Sequence, residues 1–206
     1  MSEIGMTFPL EKPDLKEGLT LSQVLFSRSS TRRFAETPFE FRQLSYLMWS
    51  AGGPTEGGRR TIPSAGALYP LFFMAVIGAP PQGLPSPGQY RYRPENHSLD
   101  LHRPGDIRRE LAEASLNQGF IAQAPAVIAV GASPRTTTYR YGSRGHRYVL
   151  MEAGHAGQNV SLMAESLGLG SVMIGAFEDD KLAALLNLAP EEEILYLIPV
   201  GPLTVP

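Results

Sequence analysis

The sequence predicts an α+β fold, and three observations lead there. Helical and apolar segments alternate irregularly, not in strict strand–helix pairs. Continuous apolar runs at Leu71–Ile77, Pro125–Val130 and Ile194–Val200 read as buried strands. Two alternating segments, Tyr90-Arg91-Tyr92 and Leu99-Asp100-Leu101, flank Pro94-Glu95-Asn96-His97 as the arms of a hairpin. The chain of 206 residues contains no internal repeat. Residues 20–206 are expected to form a single domain, and residues 1–19 an arm.

In order along the chain, Pro9, Pro13 and Gly18 break any regular element in the arm. Thr20 and Gln23 have capping-box spacing and start a short helix over Leu21–Ser27. Phe39–Ser50 is a second helix, with Phe41, Leu44, Leu47 and Met48 on one face and Gly52-Gly53 as its stop. Residues 52–70 form a long loop rich in Gly, Pro and Arg, a length typical of functional loops. Pro80–Gly88 is a surface excursion. Asp106 caps a helix over Ile107–Ser115, followed by a helical turn over Gln118–Gln123. The longest predicted helix is Tyr148–Leu167. Its stripe is Leu150, Ala153, Gly157, Val160, Ala164 and Leu167, and Gly168 ends it. Ser171–Ile174 is short and apolar, and Asp179–Leu186 is the last helix.

Composition excludes several function classes. The net charge is -2, so the whole molecule is no electrostatic footprint for nucleic acid. There is no cysteine, which rules out disulfides, thiolate catalysis and zinc–thiolate sites. Met1–Gly18 shows no secretory signal, and no apolar run approaches the roughly 20 residues that span a bilayer. The expectation is a soluble, cytoplasmic protein with no membrane partner. Asn96-His97-Ser98 and Asn159-Val160-Ser161 match the glycosylation pattern, but without a secretory signal they are set aside.

Three polar constellations stand out. Arg28-Ser29-Ser30-Thr31-Arg32-Arg33 packs three hydroxyls and three guanidinium groups into six residues. These groups hold phosphates, through fixed charge and bidentate donors. They also suit a solvated basic turn after a helix. The glycine fingerprints of dinucleotide and P-loop sites are missing, as is a GxSxG elbow. Gly168-Leu169-Gly170 follows a helix, and Met173 stands where a third glycine belongs.

Glu152 and His155 have the spacing of half a di-iron site, but no second half exists, so no metal is expected. They read instead as a polar stripe with Asn159, His155 being hydrogen-bonded inside a core or interface. Ala153, Ala156 and Gly157 would let a second helix approach and support a homodimer. The third cluster, Arg140–Tyr148, reads as a loop. Its Tyr141 could transfer protons with its phenolate favoured by arginines, or the loop is simply basic and exposed.

Three separated stretches together resemble the FMN-dependent nitroreductase superfamily, and within it the SagB-type dehydrogenases, which include thiazoline and oxazoline oxidases. They are residues 28–34, residues 60–70 (Arg60-Thr61-Ile62-Pro63-Ser64-Ala65-Gly66-Ala67-Leu68-Tyr69-Pro70), and residues 144–177. The last carries Arg144-Gly145-His146-Arg147-Tyr148, Glu152-Ala153-Gly154-His155, Gln158-Asn159, Gly168-Leu169-Gly170 and Ile174-Gly175-Ala176-Phe177. The resemblance covers residues 20–201.

It implies a nitroreductase-like α+β fold, a mostly antiparallel sheet flanked by helices, in a homodimer with FMN at the subunit interface. It implies ping-pong chemistry on a small molecule, with NADH, NADPH or an organic substrate giving a hydride to flavin N5. It places Arg28, Ser29, Ser30 and Arg32 at the FMN phosphate and ribityl chain. Pro63, Ser64, Ala65, Gly66 and Leu68 fall on the loop that the partner subunit lays against the flavin ring. Ile174, Gly175 and Ala176 fall beside flavin N5.

Two departures matter. Azoline-oxidising members have Lys-Tyr where this chain has Arg140-Tyr141, and arginine does not give up its proton. The chain also ends at Thr204-Val205-Pro206 without the basic pair that grips phosphate in many nitroreductases. Phosphate binding then rests on Arg28 and Arg32. Arg140 and Tyr141 remain the catalytic candidates. The alternatives are a dehydrogenase acting on a peptide azoline or small metabolite with maturation partner proteins, and a flavin-binding module without turnover.

Overall fold

The computed structural model describes residues 4–16, 18–35, 37 and 40–204. The expected helix start at Phe39, and Val205 and Pro206 at the chain end, lie outside the described residues. Strands are β1 (Thr7–Pro9), β2 (Leu71–Ile77), β3 (Gly88–Arg93), β4 (Ser98–Pro104), β5 (Ala126–Ala132), β6 (Leu169–Ser171) and β7 (Glu193–Pro202). Helices are α1 (Leu21–Ser27), α2 (Phe41–Gly52), α3 (Arg108–Ala114), α4 (Phe120–Gln123), α5 (Arg135–Tyr141), α6 (Arg144–Ser166) and α7 (Asp179–Leu185). The strands form one seven-stranded sheet in the order β1-β4-β3-β2-β5-β7-β6. Its strand pairs are antiparallel. The α+β expectation with an antiparallel sheet therefore holds.

The central strands are apolar throughout because both sheet faces are covered. From β2, Phe73, Ala75 and Ile77 enter one core with α2 and α6. Met74 and Val76 enter the other, with Leu111 of α3, Ile121 of α4 and Leu182 of α7. In β5, Ile128 and Val130 join the first core, Val127 and Ala129 the second. Each of the larger of these side chains, Val, Leu, Ile, Phe or Met, contributes about 1.5–3 kcal/mol relative to exposure.

Some boundaries came out as expected. Helix α1 has both hydrogen bonds of the Thr20–Gln23 capping box. The β3–β4 hairpin pairs Tyr92 with Leu99. Helix α3 starts one residue later than expected, with Ile107 as its N-cap, and Asp106 just before it accepts the Arg108 amide at 3.1 Å.

Three expectations are corrected. The arm is not free of regular structure. Thr7–Pro9 pairs with Ser98–Asp100 as the edge strand β1. The chain after it is tied down by the Leu10 amide on His97 O at 2.9 Å and the Asp14 amide on the Tyr46 hydroxyl at 2.6 Å.

Arg140–Tyr148 is not a loop. It is the end of α5, a turn at Gly142 and Ser143, and the first turn of α6. Gly145 lies where α5 and α6 meet, and a Cβ there would stand 2.8 Å from Thr138 Cα. That close approach holds a helix start whose residues show no apolar periodicity.

The stripe of α6 holds at Ala153, Gly157, Val160 and Ala164 but not at its start, where Val149 is buried in place of Leu150. Leu150 is 59% exposed, while Val149, Ala153, Ala156, Val160 and Ala164 are buried. The short apolar stretch Ser171–Ile174 holds the last residue of β6 and a separate bridge from Ile174 to Leu197.

Candidate functional site

The basic stretch is laid along the edge of the sheet. Helix α1 ends where the Arg28 amide donates to Val24 O at 2.9 Å. The chain then extends beside β6. Ser30 bridges Ser171, and the Thr31 amide donates to Ser171 O at 2.9 Å. Buried Phe34 anchors its far end beside Leu203. Gly170 permits this approach, because a Cβ there would stand 2.8 Å from the Thr31 side chain. The backbone is fixed, but Ser29, Ser30, Arg32 and Arg33 are exposed and Arg28 is half-buried. The Arg32 guanidinium lies 5.7 Å from the centre of the Phe120 ring. None of Arg28, Arg32 and Arg33 forms an ion pair among the described residues.

Ile174, Gly175 and Ala176 continue from β6. Ile174 is buried and exchanges two backbone hydrogen bonds with Leu197, at 2.9 and 3.0 Å. Gly175 and Ala176 emerge to the surface. Gln118 donates to Ala176 O at 3.1 Å. Gln118 and Phe120 are near neighbours, so one short segment touches both Ala176 and Arg32. The basic stretch and residues 174–176 therefore form one surface group.

The Pro63–Leu68 loop forms a second group. Its stem is fixed by Asn159, which donates to Ser50 O and Thr61 O, each at 3.2 Å. Its tip is a single helical turn over Ala65–Ala67. Gly66, Ala67 and Tyr69 have φ values of 63, 54 and 50°, a region that costs residues with a Cβ. The Ser64 hydroxyl accepts the Tyr69 amide at 2.8 Å, and Glu152 Oε1 accepts the Ala65 amide at 2.9 Å. A Cβ on Gly66 would stand 2.8 Å from the Tyr141 hydroxyl and 2.9 Å from an Arg140 nitrogen. The two catalytic candidates thus lie against the loop tip.

A cavity of about 280 Å³ opens between Pro63, Ser64, Ala65 and the α6 residues Tyr148, Met151, Glu152 and His155. Glu152 is 3% exposed. Its Oε2 is buried with no hydrogen-bond partner among the described residues. Burial pushes its carboxyl above the usual carboxylate range, against the opposing effects of the Ala65 amide, the Ser64 hydroxyl and His155. His155 is exposed and so is not in a core, one of its two expected places. Among the described residues no three His, Asp or Glu side chains are grouped to hold a metal ion.

Both groups touch α6, at different heights. Glu152 meets the loop, and Ser161 meets Ser171 of β6 at 3.4 Å between hydroxyls. From Glu152 to Ser161 a helix rises about 13 Å. Glu152 as the partner of the loop was not foreseen.

The chain matches the nitroreductase family over residues 25–202. It belongs to that family. A protein of Methanocaldococcus jannaschii named as a nitroreductase, MJ1384, is 43% identical over 203 residues, 96% of this chain and 98% of its own. A crystal structure from Ralstonia eutropha JMP134, also named as a nitroreductase, superposes with a TM-score of 0.85 at 29% identity, over 97% of this chain and 90% of that one.

Two more distant structures share the nitroreductase fold. The Escherichia coli microcin synthetase McbBCD complex with truncated pro-MccB17 has a chain matching with TM-score 0.75 at 21% identity, over 95% of this chain and 78% of that one. The NADPH:FMN oxidoreductase of Vibrio harveyi, complexed with NAD+, matches with TM-score 0.65 at 19% identity, over 89% and 69%. The resemblance read from residues 28–34, 60–70 and 144–177 thus extends over nearly the whole fold.

Proposed function

We propose that this nitroreductase-family oxidoreductase is FMN-dependent, with residues 20–206 as one flavin-binding domain. One observation carries the reading. Arg28, Ser29, Ser30 and Arg32 form a phosphate-type donor set on a backbone fixed to β6, beside the exposed Gly175–Ala176 backbone. Two guanidinium groups that form no ion pair among the described residues, with two hydroxyls, match a dianionic phosphate in charge and geometry. Arg28 and Arg32 would grip the phosphate, with Ser29 and Ser30 donating to it and to the ribityl chain. Gly175 and Ala176, beside Ile174, would offer backbone amides near N5, where the lack of bulk lets a ring approach. When bound, FMN supplies two-electron redox chemistry that side chains lack. The Vibrio harveyi likeness supports this cofactor and a nicotinamide donor.

The Pro63–Leu68 loop would cover the ring from the other side. The family resemblance gives this loop to a second copy, and hence implies a homodimer. Exposed Leu21, Leu25 and Phe26 on α1, and Leu150 and Met151 on α6, give such a partner apolar surface to cover. Tyr141 could hold a proton near the loop tip. Arg140 stays charged and acts as a fixed positive field. The cysteine-free composition fits a reducing, cytoplasmic setting. No helix among the described residues is long and apolar enough to cross a membrane.

The test is the purified protein. Bound or added FMN should give a flavin absorption band that NADH or NADPH bleaches without oxygen. A protein that takes up no FMN refutes the reading. A flavin band that neither nicotinamide bleaches would move the electron source to an organic substrate. That is the second reading, a SagB-type dehydrogenase acting on a peptide azoline or small metabolite beside maturation partners. The likeness to the microcin synthetase complex favours it, and Arg140 in place of lysine speaks against it.

A further inference from the structure

We propose that Glu152 is a positioning residue for the Pro63–Leu68 loop, holding it through the Ala65 amide in the shape that meets the flavin. This rests on the FMN reading above.

The loop has a shape its own sequence does not favour. Ala67 and Tyr69 adopt positive φ, and Gly66 alone adopts it without cost. Such a conformation persists only when its surroundings over-determine it. Inside the loop, Ser64 supplies the acceptor for Tyr69. From outside, Tyr141 and Arg140 stand against Gly66, but these contacts limit the tip without fixing its rotation. Glu152 is the acceptor from another element that reaches the turn's first amide, at 2.9 Å.

That acceptor is placed at a cost. The Glu152 carboxyl is buried, and its Oε2 finds no donor among the described residues. Around it stand Ser64 and Ala65 from the loop, and Tyr148, Met151 and His155 from its own helix. None is a buried cation that would make the position an ion pair. A buried, half-satisfied carboxyl calls for an explanation, and its contacts with the loop, the Ala65 amide first and the Ser64 hydroxyl after it, supply one. Below it on α6, Asn159 fixes the loop's stem. One rigid helix therefore sets both the base and the tip of the loop.

The experiment is amide hydrogen exchange on the full-length protein without flavin, followed by FMN titration. In Glu152→Ala the peptide covering residues 63–70 should exchange at least tenfold faster, with peptides of β2 and β5 unchanged. Glu152→Gln keeps a carbonyl acceptor and should restore the slow rate. Glu152→Asp keeps the charge but stops a methylene short, and should behave like alanine. If alanine fails to fold, the contrast between Gln and Asp still decides. On FMN titration, the Ala and Asp variants should bind more weakly and shift the flavin absorption maximum, and Gln should match the wild type.

Unchanged loop exchange in both Ala and Asp overturns the proposal. Faster exchange with unaltered FMN affinity and spectrum overturns the flavin-positioning part. If the wild type takes up no FMN, the functional reading fails, while the exchange data still decide whether Glu152 holds the loop.

Discussion

The amide of Thr31 donates to the carbonyl of Ser171 at 2.9 Å, so the basic stretch is fixed by its backbone while its guanidinium groups remain available. The arginines are therefore not needed to hold their own segment in place. Arg28→Ala should lower FMN affinity by roughly ten- to a hundredfold, the loss of one charge-assisted hydrogen-bonding group at about 1.5–3 kcal/mol. Arg33→Ala should lower it less, and neither should shift the melting temperature of the flavin-free protein by much. Fluorescence titration of FMN measures both, and equal losses would reject the assignment of Arg28 to the phosphate.

Gly66 carries a φ of 63° with the Tyr141 hydroxyl where a Cβ would press. Gly66→Ala should destabilise the fold by about 1–2 kcal/mol from the left-handed backbone alone, roughly 2–8 °C in melting temperature for a chain of this size. Scanning calorimetry checks it. An unchanged or raised melting point would mean the loop tip is not held as described.

Burial raises the Glu152 carboxyl above its ordinary value of 4.5. The folded state then binds this proton more tightly than the unfolded chain. Stability from this group falls as pH rises from 4.5 through the raised value and stays level above it. Glu152→Gln has no such proton. Its melting temperature relative to the wild type should therefore move upward across that window, measured by parallel melts from acid to neutral pH. A constant difference would contradict the shift.

His97 works in the opposite sense. Burial lowers it from 6.5, with the Glu11 carbonyl opposing. Its ring nitrogens meet the Tyr92 hydroxyl at 2.7 Å and Glu11 O at 2.9 Å. The fold favours the neutral ring, so stability is full above 6.5 and is lost as pH falls from there toward the lowered value. His97→Gln should remove that slope. Denaturant midpoints across the range would show it, and an identical slope in the variant would assign the effect elsewhere.

What was legible in the sequence follows from locality. Leu71–Ile77 reads as a two-face-buried strand because every residue is apolar, and the Thr20–Gln23 capping box needs only three residues of context. The start of α6 did not read, because Arg144–Arg147 have no apolar spacing and are held by the contact of Gly145 with Thr138. Leu150 misled the stripe because leucine is the stronger hydrophobe, yet Val149 faces the sheet. The site residues were legible as types. That residues 28–33 run along β6 was not, because Ser30 and Ser171 are far apart in the chain. The Glu152–Ala65 hydrogen bond, between positions 87 apart, leaves no pattern in either neighbourhood.

The edge strand β1 has a consequence beyond pairing. Without it, β4 would present a row of unpaired amides and carbonyls, a template for another chain's strand. With it, the outermost strand is three residues long, and Pro9, paired opposite Ser98, has no amide hydrogen to offer a newcomer. A variant lacking residues 1–9 should aggregate faster on warming than the full chain at equal concentration, as light scattering would register. The amino-terminal segment then serves as a guard against sheet-to-sheet growth.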